Sequence, residues 1–151
     1  MPPCAPSKAA PRSTDTSISH GVILRALGRH CARQLQEAGA TVDLPDGAFY
    51  LFPDLTPLAE SLHARGIHTN EELCERLLED TGVAMLPDSA FGRAPEEFSV
   101  RLAYVNFGGE RALAAAAEAP HPLALQQDFL KAHCGRVVEA IERMCAWLHG
   151  Y

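Results

Sequence analysis

The stretch Phe98-Ser99-Val100-Arg101-Leu102-Ala103-Tyr104-Val105 decides how this chain is read. Side chains along an extended strand alternate between its two faces. Phe98, Val100, Leu102 and Tyr104 therefore share one apolar face, and Ser99, Arg101, Ala103 and Val105 share the other. This predicts a strand that turns one face to a core. It also sets a single arginine between two small side chains, with no acid inside the strand to occupy it. A guanidinium on a rigid strand offers a planar fork that matches a carboxylate through paired N–H···O bonds. The alternative is structural, with Arg101 capping a sheet edge or tying the strand to an acid such as Asp88 or Glu97.

Two stretches upstream add context: Pro45-Asp-Gly-Ala-Phe-Tyr-Leu-Phe-Pro53 and Leu77-Leu-Glu-Asp-Thr-Gly-Val-Ala-Met-Leu-Pro87-Asp-Ser-Ala-Phe-Gly92. Followed by the Arg101 strand, they resemble the C-terminal small domain of class I/II pyridoxal-phosphate-dependent aminotransferases of the aspartate-aminotransferase fold type. The resemblance runs over about residues 20–150 and departs from the family pattern at Asp88, where glycine commonly follows the loop proline. Asp tolerates a left-handed backbone better than most residues, so the turn is expected to survive.

The resemblance implies a division of labour. Such an enzyme holds pyridoxal 5'-phosphate as a Schiff base to a lysine, and moves an amino group between an amino acid and a 2-oxo acid. Arg101 would grip the substrate carboxylate and Phe91 would stand in the wall beside it. The partners implied are the amino acid and 2-oxo acid substrates, a large cofactor-binding domain and a second copy in a homodimer. No residue here is assigned a catalytic, cofactor-binding or metal-binding role. Of the two lysines, Lys8 lies in a proline-rich stretch without the family's surrounding pattern, and Lys131 lies beyond every motif. Two readings follow. The chain is the C-terminal part of an aminotransferase and is inactive alone, or it is a stand-alone interaction or ligand-binding module derived from such a small domain.

Composition bounds the rest. The chain has 151 residues, enough for one domain with a real core. A formal charge of -6 gives no support to nucleic-acid binding, which needs a basic excess. No apolar run is long enough to span a bilayer. Five cysteines without C-x-x-C spacing read as small hydrophobes in a reducing, cytoplasmic setting. The seven histidines show no metal-ligand spacing.

Residues 1–19, with four prolines among Ser, Thr and Ala, read as a disordered leader, and 20–151 as the small domain. Ile23, Leu27, Cys31, Leu35 and Ala38 mark an amphipathic helix over 20–38 closed by Gly39. Thr69-x-x-Glu72 has capping-box spacing and opens a helix over 70–81, with Leu73, Cys74, Leu77 and Leu78 inward and Gly82 as its stop. An alanine-rich helix covers 110–119, and one long helix is expected over 125–148. Strands are expected at 48–52, 83–87 and 98–105, with Phe49, Tyr50 and Phe52 in the core. The fold class is thus α+β: a small, mainly three-stranded sheet packed against amphipathic helices.

Overall fold

The computed structural model describes residues 13–45, 49–105, 109–118 and 127–150, with side chains from residue 21 onward. Helices dominate: α1 (Ser13–Glu37), α2 (Ala59–Ala64), α3 (Asn70–Thr81), α4 (Gly109–Glu118), α5 (Gln127–His133) and α6 (Gly135–Leu148). Three short strands, β1 (Tyr50–Leu51), β2 (Leu86–Pro87) and β3 (Val100–Ala103), form an antiparallel sheet in the order β1-β3-β2. The α+β class expected from the sequence is what the chain adopts.

β3 lies centrally because its inner face is continuously apolar. Phe98, Val100, Leu102 and Tyr104 are each at most 4% exposed. They meet a core supplied by α1 (Ile23, Leu27, Cys31, Leu35), α3 (Leu73, Leu77) and α6 (Ile141, Met144). The strands are shorter than the sequence pattern suggests, and two prolines explain part of this. Pro87 pairs with Val100 from β2, while Val100 N donates to Pro53 O from the β1 side. Neither proline has an N–H to return to the ladder. Pairing resumes beyond them through Leu55 N→Phe98 O and Asp88 N→Ser99 O. In the run expected as a strand over 83–87, Val83 and Met85 are buried but only Leu86–Pro87 pair.

The start of α3 forms as its spacing predicts. Thr69 Oγ1 accepts from Glu72 N, and the Glu72 carboxylate accepts from Thr69 N and His68 N. These donors hold the Glu72 carboxyl below its usual range, the bond from His68 N contributing most. Gly82 closes the helix in the left-handed region at φ 74°.

Four expectations need correction. The first helix begins at Ser13, not His20, so its first turns lie in the stretch read as a leader; residues 1–12 lie outside the described residues. Leu78 is exposed, and Thr81 is buried instead, its hydroxyl donating to Leu77 O. The long terminal helix is two helices. At Cys134 the backbone leaves helical geometry, at φ -120° and ψ 25°, just before Gly135, a weak helix former. Finally, Phe49, Tyr50 and Phe52 are exposed, and only Leu51 between the last two is buried. Expectations for the Pro45-Asp-Gly turn and for the prolines after α4 fall at 46–48 and 119–126, outside the described residues.

Candidate carboxylate-binding site

Arg101 stands at the middle of β3 on the face turned away from the core, opposite Leu86 of β2. The neighbouring strands bring aromatic side chains to it from both flanks. From the 3₁₀ turn that follows β2 (Asp88–Phe91), the Phe91 ring lies under the guanidinium, with Arg101 Cζ 3.7 Å from its centroid. From the β1 side come Phe52 at 5.1 Å and Tyr50 at 5.6 Å. Tyr50 and Phe52 share this face because they are two residues apart in an extended segment, and Tyr50 pairs with Ala103, the next outward residue of β3.

The 3₁₀ turn that carries Phe91 is built locally. Asp88 is buried and adopts no left-handed backbone, so the departure from glycine at this position requires no tolerance of that conformation. The left-handed residue is Gly92, at φ 91°. Ser89 Oγ donates to Glu71 Oε1 on α3, which ties the turn to the first turn of that helix.

The two acids that sequence offered as structural partners for Arg101 are otherwise placed. Glu97 pairs with Arg93 at 2.9 Å, and Asp88 lies in the buried base of the turn. Among the described residues no carboxylate forms a salt bridge with Arg101. Its Nε is buried and has no hydrogen-bond partner. Stacking on an aromatic face leaves a guanidinium's in-plane N–H groups unengaged by the ring, and here the Nη groups are not among the buried unpaired atoms. The arrangement can therefore hold a planar anion, a carboxylate above all, at the rim of an apolar and aromatic surface.

Strand pattern singled out Arg101 and the resemblance pointed to Phe91, and the structure brings the two together. Tyr50 and Phe52 were assigned to the core. The signal that could have turned them out of the core is period-two alternation about Leu51, the same rule that reads β3.

The residues here do not fit a Schiff-base cofactor site. Lys131, the one lysine among the described residues, sits on α5 with Nζ 3.9 Å from Glu142 of α6. Lys8 lies outside the described residues. The thiols are no better as reactive groups. Cys31, Cys74, Cys134 and Cys145 are buried and unbridged, and desolvation pushes the Cys31 thiol up to about 12. Among the described residues no group of three or more His, Cys, Asp or Glu side chains could hold a metal ion. In the same residues no helix is long and apolar enough to cross a membrane.

Known proteins resemble parts of this chain in sequence and in architecture. The mitochondrial alanine aminotransferase of Saccharomyces cerevisiae is 35% identical over 97 residues, covering 62% of this chain and 16% of that enzyme. The aspartate aminotransferase of Bacillus subtilis is 40% identical over 73 residues, covering 48% of this chain and 17% of that enzyme. The crystal structure of an aspartate aminotransferase from Thermotoga maritima superposes with a TM-score of 0.50 at 23% identity, over 85% of this chain and 24% of that one. No family model matches the chain. The chain is similar to aminotransferases over a small part of their length and shares the fold of that part. More particularly, the proteins it is similar to are aspartate and alanine aminotransferases, and the part matched is the small domain.

Proposed function

We propose that this chain serves as the C-terminal, small-domain part of a pyridoxal-phosphate-dependent aminotransferase, with Arg101 gripping the substrate's carboxylate and Phe91 forming the wall beside it. The observation that carries this reading is an unpaired guanidinium on a rigid strand, stacked on Phe91 and surrounded by half-exposed rings that the core does not use. Substrates would be an amino acid and a 2-oxo acid, and the working partners a large cofactor-binding domain and a second copy of the enzyme, in the cytoplasm. These 151 residues alone hold no lysine suited to the cofactor and would not transaminate.

The test is Arg101→Lys in an enzyme assembled with a cofactor-binding domain. A charge-assisted hydrogen-bonded pair contributes about 1.5–3 kcal/mol, so kcat/KM should fall by roughly one to two decades while the melting temperature stays put. Lysine keeps the charge and loses the planar fork. Near-normal kinetics in the variant, or a loss that only follows stability, removes the assignment. Borohydride reduction of the chain alone with the cofactor should leave no lysine labelled stoichiometrically.

A further inference from the structure

The rings on the β1 side of Arg101 have no role in the core, and Arg101 Nε is closed off from solvent without a partner. Phe91 approaches from the β2 side, with Cζ 3.7 Å from its centroid. Phe52 approaches from the β1 side at 5.1 Å, and Tyr50 lies at 5.6 Å. An arginine can meet a carboxylate side-on, through Nε and one Nη, or end-on, through both Nη groups. A buried Nε leaves only the end-on edge.

We propose that Phe52 is a positioning residue: with Phe91 it clamps the Arg101 guanidinium, closes the Nε side and leaves a carboxylate to be taken end-on through Nη1 and Nη2. The inference rests on the carboxylate-binding reading above and adds the direction of approach and the residue that enforces it. Phe52 itself meets no substrate in this scheme. It acts through the rotamer of Arg101, a long side chain that would otherwise sample several orientations. Each ring–guanidinium contact at a half-exposed site is modest, so the clamp biases the side chain and does not lock it.

Nitrogen-15 NMR of the 151-residue chain tests this directly, with Arg101→Lys used to assign the Arg101 signals. The Nε–H of Arg101 should exchange with water more slowly than that of exposed Arg93. Phe52→Ala and Phe52→Leu should each speed that exchange by about two- to fivefold, the ratio expected for losing one exposed cation–π contact. Phe52→Tyr, which keeps the ring, should restore it. Propionate, the carboxylate probe, should shift the Nη signals of the wild type and leave Nε in place. In Phe52→Ala it should perturb Nε as well. Unchanged Nε exchange in both Phe52→Ala and Phe52→Leu, with propionate still acting at Nη, overturns the clamp and leaves the carboxylate reading standing. A joint shift of Nε and Nη in the wild type overturns end-on approach. A slow Nε–H with no response to propionate overturns the carboxylate reading, and end-on binding with it. Phe52 is half exposed, and a thermal melt of each variant separates unfolding from loss of the clamp.

Discussion

On its inner face β3 presents Phe98, Val100, Leu102 and Tyr104, which are almost wholly removed from solvent. Around Arg101 on its outer face stand Tyr50, Phe52, Leu86 and Phe91, each between 44% and 53% exposed. Both surfaces are apolar, yet only the first is consumed by folding. Burial of a large side chain supplies stability in proportion to the area it loses to the core. The outer residues keep about half of their area in solvent, so burial accounts for only part of their apolar character. An unpaired guanidinium at their centre supplies the rest of the explanation. The difference teaches that hydrophobicity alone does not tell core from site in this chain; what tells them apart is which face of the strand it occupies.

The sharpest way to break this contrast is to cut into the inner face. Leu102→Ala should cost about 2–5 kcal/mol, because it removes a buried side chain and leaves a cavity against the helices. Denaturant unfolding measures it, and a cost under about 0.5 kcal/mol, typical of surface substitutions, would mean the inner face is not the core. Gly28→Ala probes the same face by filling where Leu102→Ala empties. A Cβ there would lie 2.6 Å from Pro45 Cγ and 2.8 Å from Tyr104 Oη, both parts of rigid rings. Alanine is otherwise the better helix former, so a net destabilisation of about 1–3 kcal/mol would report overpacking against the end of β3. A gain in stability would show that α1 moves away from Tyr104 easily.

On the outer face Phe91→Ala should cost only about 0.5–1 kcal/mol, the worth of an exposed ring–cation contact. A loss as large as that for Leu102→Ala would erase the distinction between the faces. The smallest effect concerns pH. His30 on α1 has its Nε2 buried without a partner, and burial lowers its pKa, against opposing contributions from Glu142 and Glu37 and supporting ones from Lys131 and Arg33. A lowered folded-state value means the unfolded chain takes the proton more readily. Stability should therefore be fully present above about pH 6.5, the ordinary histidine value, and decline as pH falls through the lowered one. His30→Phe should flatten that slope; an unchanged slope would show that another group titrates there.

Much of the fold was legible because its signals are local and periodic. The stripe Ile23, Leu27, Cys31, Leu35 and Ala38 is buried as spaced, and Thr69 with Glu72 forms the capping box. The failures come from rules that compete at short range. Phe49, Tyr50 and Phe52 were assigned inward on aromatic character, whereas alternation turns Tyr50 and Phe52 outward. The break before Gly135 falls within the stripe from Leu130 to Leu148, which carries across it because α5 and α6 still face the same core. Of the site, Arg101 and Phe91 were readable through the resemblance. The rings from β1 were not, because they reach Arg101 by strand pairing, which no local pattern encodes.

The two prolines that shorten the sheet also decide how this molecule can meet another. Its outer face is apolar enough to adhere, and an open sheet ordinarily extends by adding a strand at its edge. Here each edge strand has only two residues, and β2 ends in Pro87 as β1 soon meets Pro53. A foreign strand would find too few free N–H and C=O groups to zip along. The edges are thereby closed to strand addition, so the exposed apolar face around Arg101 does not sit beside a template for fibrils.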